Sequence, residues 1–237
     1  MLPLKNKTVL ITRSANQVAE FINQLEALGA NTITLPLIEN IAINQNELIK
    51  KVNQNNYDWI IFTSTNAVKF FFESISAKTI TSKIAVVGNK TGQLIKELGL
   101  EIDFTPSEFT AKHLANEIPV SENDTILIPR SSLAKNDIID ILEKRNCVIE
   151  AISIYENNSI NYSTEEIKKV FNQKIDYITF TSGSTVQSFI KQGIRLKTEK
   201  VICIGPETAK IAKQNNINVA AIANPHTIEG MIKVISQ

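Results

Sequence analysis

Two of the four arginines in this sequence, set against 21 lysines, stand directly after matching apolar runs: Arg13 closes TVLITR and Arg130 closes TILIPR. A guanidinium is a rigid fork that fits a carboxylate, which a lysine ammonium does not do, although a cap or ion pair within the fold uses the same geometry. Small hydroxyl and glycine clusters close the apolar runs throughout: Thr12, Thr63 to Asn66, Gly88 to Thr91, Ser131 and Ser132, Thr181 to Ser184, and Gly205 to Thr208. At the end of a strand such a cluster opens the next helix, whose free N–H groups and partial positive charge receive anions without lysines. Ser and Thr also cap helices with no ligand involved. Recurrence at equivalent places points to an anion-binding cleft, with Arg13, Ser64, Thr65, Asn66, Gly88, Thr91, Arg130, Ser182, Gly183 and Thr208 as its candidate binding residues. Tyr155 is the third chemistry. It sits in SIYEN, aligned with Ile38 in PLIEN, so a phenol takes the place of an aliphatic side chain. It is either a packing residue or a proton donor to a leaving group.

Other chemistries lack their residues. His113 and His226 stand far apart in different contexts, and Cys147 and Cys203 each lie inside an apolar run as small buried hydrophobes do. No metal site is expected, no Ser-His-Asp or Cys-His arrangement is readable, and no paired-carboxylate motif recurs. Neither a Walker sequence nor G-x-G-x-x-G is present, so no nucleotide cofactor is expected. The 25 basic and 24 acidic residues leave a formal charge of +1, too little field to grip nucleic acid or an anionic membrane. The opening MLPLKNKTVLIT has no signal-peptide core, and no apolar run is long enough to span a bilayer. A cytoplasmic, monomeric protein with a small-molecule partner is the expectation.

The elements that must position these groups occur twice. TVLITRS (8–14) matches TILIPRS (125–131), KIAVVGNKT (83–91) matches KVICIGPET (200–208), and FTAKHLANEI (109–118) matches HTIEGMIKVI (226–235), all offset by 117. DWIIFTSTNAV from Asp58 meets DYITFTSGSTV from Asp176 one residue later, at 118. Matching blocks in one order imply a duplication. Short β-branched runs alternate with helical periods, such as Phe21, Ile22, Leu25 and Leu28, or Val186, Phe189 and Ile190. Gly29, Gly99, Asn146 and the Asn215–Asn216 pair supply left-handed stops. This alternation predicts two parallel α/β sheets covered on both faces. The matching connectors TLPLIENIAIN (34–44) and AISIYENNSIN (151–161) precede polar stretches. If the chain crosses between sheets at each, near 36–43 and 153–161, one domain holds 40–155 and a discontinuous one combines 1–36 with 160–237. Two crossing strands then make a hinge.

The ordered set VLITR, YDWIIFTSTNAV, AVVGNKT, IPR, SIYEN, DYITFTSGSTV, IGPETA and PHTIEGMI resembles the uroporphyrinogen-III synthase family over nearly the whole chain. Ser131 and Ser132 depart from the Gly that members often carry after the second arginine. The resemblance implies two flavodoxin-like domains joined by a two-stranded hinge, with the active site in the cleft between them. It implies a cofactor-free and metal-free lyase acting on hydroxymethylbilane, a linear tetrapyrrole with eight carboxylates. The product is uroporphyrinogen III, formed with loss of water and inversion of ring D. Tyr155 matches the tyrosine that would assist hydroxyl departure, and Ser64, Thr91, Ser182 and Thr208 match cleft residues. The competing expectation is a two-domain protein that closes on a small anion without turning it over. It gives no reason for Tyr155 to break the repeat.

Overall fold

The computed structural model describes residues 2–15 and 18–237. Its backbone divides into two compact units, one of 1–39 with 158–237 (the split unit) and one of 40–157 (the central unit).

In the split unit the strands are β1 (Thr8–Ile11), β2 (Asn31–Thr34), β8 (Tyr177–Phe180), β9 (Lys200–Cys203) and β10 (Val219–Ile222), in the order β2-β1-β8-β9-β10, all parallel. This is the order 2-1-3-4-5 of a doubly wound, flavodoxin-like sheet. Helices α1 (Ala19–Ala27), α7 (Thr164–Phe171), α8 (Gly183–Lys191), α9 (Pro206–Gln214) and α10 (Ile228–Ile235) cover it. In the central unit, β3 (Ile38–Ala42), β4 (Trp59–Phe62), β5 (Lys83–Val86), β6 (Thr125–Ser131) and β7 (Val148–Ser159) run in the order β3-β7-β6-β4-β5. A parallel bridge from Ala85 to Phe104 lies beyond β5. Its helices are α2 (Gln45–Gln54), α3 (Thr65–Phe72), α4 (Asn89–Glu97), α5 (Ala111–Glu117) and α6 (Asp137–Glu143).

Alternate strand residues go to opposite faces, and strands covered on both faces, such as β4, are apolar throughout. In β4, Ile60 and Phe62 pack with Val68, Phe71 and Ile95 of α3 and α4, while Trp59 and Ile61 pack with Leu114, Ile138 and Leu142 of α5 and α6. In the split unit Leu10, Ile178 and Phe180 meet Val186 and Phe189 of α8, whereas Val9, Ile11 and Ile202 meet Phe21, Leu25, Met231 and Ile235 of α1 and α10. Burial of each such side chain contributes about 1.5–3 kcal/mol.

The strand starts are fastened alike in both units. Asp176 accepts a hydrogen bond from the Thr8 N–H at 2.9 Å, and Asp58 accepts one from the Thr125 N–H at 2.8 Å. Those bonds hold the Asp58 carboxyl below its usual range. Lys83 stands over Trp59 and Lys200 over Tyr177 as cations on aromatic faces. The predicted stops are left-handed, with φ of 90° at Gly29, 77° at Gly99, and 60° at both Asn146 and Asn216. Arg145 donates to the carbonyls of Ala115 at 2.7 Å and Ile118 at 2.9 Å, closing the carboxyl end of α5.

The polar stretches after the two connectors form helices α2 and α7. Neither stands out as a helix in the sequence, because each has little apolar signal: α2 buries only Leu48, and α7 buries no side chain completely. Helix α7 starts on a capping box, with Ser163 Oγ accepting from Glu166 N–H and the Glu166 carboxylate accepting from Ser163 N–H. Across the connectors, Ile43 N–H donates to Ile154 and Ile160 N–H donates to Leu37, so the two segments run in opposite directions. Among the described residues no helix is long and apolar enough to cross a membrane.

Candidate active site

Hydroxyl chemistry gathers at the carboxyl ends of the strands, where each chain segment turns into a helix. At the end of β4, Ser64 is the N-cap of α3, its Oγ accepting from the Ala67 N–H at 3.1 Å. The Tyr155 hydroxyl lies 3.1 Å from the same Oγ, brought from β7 across 91 residues of sequence. The Tyr155 ring is buried (7% exposed) and stacks on Phe70 of α3, with centroids 5.2 Å apart and planes 15° from parallel. Tyr155 is therefore a packing residue in its ring, while its hydroxyl meets a polar partner at a helix N-terminus. Thr65 and Asn66, half-buried, form the first turn of α3.

At the end of β5, Gly88 is the N-cap of α4 with φ of 88°, a conformation that favours glycine, and it brings no side chain to the α4 N–H groups. Gly205 leaves the start of α9 equally without a side-chain cap. Both helix starts keep the positive end of the macrodipole without a capping side chain. Thr91 and Thr208, one turn inside these helices, are 4% and 5% exposed. These two predicted threonines are thus packed inside the first turn, whereas Ser64 and Ser182 are half-buried. Ser182 caps α8 in a reciprocal box with Thr185 and also lies 2.9 Å from Ser184 Oγ; Gly183 is the first helical residue. Thr12 is occupied in the core, donating to the Thr179 carbonyl at 2.6 Å.

The two arginines part company. Arg13 is half-buried; burial lowers its guanidinium pKa and the charge of Glu20 raises it. Arg130 is 8% exposed and donates to the Ala134 carbonyl, bracing the turn after β6; burial pushes its guanidinium down. Arg130→Ala is accordingly expected to cost about 2 kcal/mol of stability, read by urea denaturation. Arg13→Ala is expected to raise KM about 10-fold, with Arg13→Lys recovering part of it. Equal stability losses in both variants with unchanged KM would make both structural.

The remaining reactive types are occupied. Cys147 and Cys203 are buried; burial pushes both thiols up, Cys203 to about 11. His113 pairs with Thr110 at the start of α5, and His226 Nδ1 lies 2.7 Å from the Ala223 carbonyl. A groove of about 600 Å³ in the split unit, lined by Ile194, Arg195, Leu196, Lys200 and Ile217, lies at the amino end of β9, away from these turns.

Parallel sheets with glycine- and hydroxyl-led helix starts at one end define an α/β protein with its ligand-facing turns at the carboxyl ends of its strands. The sequence model of the family described as uroporphyrinogen-III synthase HemD matches residues 19–233. A porphyrin biosynthesis protein HemD of Ruminiclostridium josui is 36% identical over 97% of this chain, which spans 48% of that protein, about half its length. A uroporphyrinogen-III synthase of Synechococcus elongatus is 27% identical over 99% of this chain and 96% of its own. Among solved structures, uroporphyrinogen-III synthetase of Helicobacter pylori superposes with a TM-score of 0.70 at 18% identity, covering 96% of this chain and 97% of its own. A mutant synthase of Thermus thermophilus gives 0.58 at 14%, covering 96% of each. These two likenesses speak for the fold. The chain belongs to the uroporphyrinogen-III synthase family. Its function is the synthase reaction of porphyrin and haem biosynthesis, a cyclising lyase step, and the non-catalytic anion-binding reading is not favoured.

Proposed function

We propose that this chain converts hydroxymethylbilane to uroporphyrinogen III with Tyr155 assisting departure of the terminal hydroxyl, and that the helix starts described above take the substrate carboxylates. The observation that carries the reading is the Tyr155 hydroxyl meeting Ser64 Oγ at the positive end of α3. Because Ser64 Oγ already accepts from the Ala67 N–H, its own proton is free to go to the Tyr155 oxygen. The Tyr155 proton then points away toward the substrate. As the C–O bond breaks, that proton joins the departing hydroxide, giving water. The proton lost from the pyrrole nitrogen as the azafulvene forms restores the phenol. Attack through a spiro intermediate and reclosure then invert ring D, and the net change is loss of one water. Carboxylates held on N–H groups keep the flexible chain in this reactive fold.

The duplication belongs to this reading. The split unit takes β1 and β2 from the first copy and β8, β9 and β10 from the second. The central unit takes β6 and β7 from the second copy and β3, β4, β5 and the Phe104 bridge from the first. The chain passes between units within β3 and β7, and these passages are proposed as the hinge. A cytoplasmic monomer needing no cofactor completes the proposal; two buried free thiols suit a reducing compartment.

The test is incubation with hydroxymethylbilane and chromatographic resolution of product isomers, with small-angle scattering of the protein before and after adding product. Isomer III in excess of isomer I is expected, with a smaller radius of gyration when ligand is bound. Only isomer I, the product of unaided cyclisation, would refute the reaction, and an unchanged radius at saturation would refute the hinge.

A further inference from the structure

The aromatic run Phe70-Phe71-Phe72 in α3 has a counterpart in α8, Ser188-Phe189-Ile190. Phe71 and Phe189 are core residues in both units, and position 72 is apolar in both. Position 70 alone changes character. In the split unit Ser188 is buried and donates its hydroxyl to the Leu37 carbonyl at 2.6 Å, one residue before Ile38. In the central unit Phe70 is an aromatic ring lying on Tyr155, the counterpart of Ile38. The capping serines differ at the same place: Ser182 spends its hydroxyl on Ser184 and Thr185, whereas Ser64 meets Tyr155. Three linked differences between otherwise matching units converge on one phenol.

We propose that Phe70 is a positioning residue for Tyr155. Its ring fixes the plane of the phenol, while Ser64 fixes the hydroxyl, so that the oxygen stays in register with the start of α3. A near-parallel pair with centroids 5.2 Å apart lies within the range of favourable aromatic geometries. Without the ring, the phenol gains rotational freedom about its first side-chain bond, and its hydroxyl is held only by one hydrogen bond 3.1 Å long. The inference rests on the role assigned to Tyr155 above. It adds that the helix supplies the shelf on which the donor is held.

The experiment uses the full chain labelled with 3-fluorotyrosine, which gives four ¹⁹F resonances, one for each tyrosine; the Tyr155 signal is the one lost in Tyr155→Phe. Phe70→Leu is expected to shift and broaden that signal alone, and Phe70→Tyr to restore a sharp line. Turnover to isomer III in Phe70→Leu should fall about 3- to 10-fold at unchanged KM. In the Tyr155→Phe background the same change should have no further effect. Should Phe70→Leu fold poorly, Phe70→Met fills the same space without a ring and is read in the same way. An unmoved Tyr155 resonance, or an equal loss of turnover in both backgrounds, overturns the positioning role. A Tyr155→Phe protein with wild-type turnover instead removes the underlying role of Tyr155, and the inference with it. The resonance separates the two failures, since it reports ring placement independently of activity.

Discussion

Tyr155→Phe is expected to slow formation of isomer III by about 100-fold while leaving the fold and KM as they are. The fold survives because the substitution keeps the ring that stacks on Phe70 and removes a single oxygen. The partner it deserts, Ser64, remains satisfied through the Ala67 N–H, so little is lost in stability. The rate falls because no other hydroxyl in the described structure replaces that oxygen beside Ser64. General acid assistance is typically worth about 10²–10⁴-fold, and a hydroxymethyl group on pyrrole leaves readily, which places the effect at the low end. Released substrate that then cyclises unaided raises the share of isomer I. The measurement is single-turnover product analysis on a variant whose circular dichroism matches the parent. Wild-type turnover and isomer ratio would take Tyr155 out of the mechanism and leave positioning of the substrate as the source of rate.

Gly230→Ala is expected to remove about 3 kcal/mol of stability, lowering the melting temperature by about 6–12 °C. Gly230 is buried in the first turn of α10, its N–H donating to Thr227 Oγ1 at 3.2 Å. A methyl group there would stand 1.9 Å from the Pro225 carbonyl oxygen and 3.0 Å from its carbon, so backbone would have to yield. Helix propensity alone favours alanine by about 1 kcal/mol, so the contact decides the sign. Met231, Ile232 and Ile235 would be displaced with the helix from the core they share with Val9, Phe21 and Leu25. The equivalent position in the central unit carries His113, with the same bond from its N–H to a threonine hydroxyl. The requirement for glycine therefore comes from Pro225 and not from the motif. Calorimetry showing a melting temperature within 2 °C of the parent would mean that the 223–227 turn relaxes at small cost.

Most of the fold was legible because buried strands such as VLI, WIIF and VICI are apolar on both faces and end in hydroxyl or glycine turns. The left-handed stops at Gly29, Gly99, Asn146 and Asn216 were readable for the same local reason. Helices α2 and α7 were harder, since both rest on a narrow contact face; the S-T-E-E capping box at Ser163 was the available signal. At the candidate site, type and spacing singled out Tyr155, Ser64 and Arg130, but their surroundings were hidden. That Ser64 meets Tyr155, that Phe70 lies beneath it, and that Arg130 turns inward to Ala134 depend on packing of distant or tightly turned segments. A repeat comparison at position 70 against 188 would have exposed the aromatic substitution, but an apolar residue in a helix next to two phenylalanines reads as core.

The assignment of strands to units has a consequence for biosynthesis of the polypeptide itself. The central unit is one continuous stretch, finished once residue 157 has been translated. In the split unit β1 must wait for β8, its neighbour in the sheet, which begins at Tyr177. At about 5–20 residues per second the first strand pair spends roughly 7–30 seconds without its central partner. The central unit therefore has all of its strands while the split unit still lacks three of its five. An early stop that removes β8 leaves the middle whole and strands β1 with an open edge, exposed to aggregation.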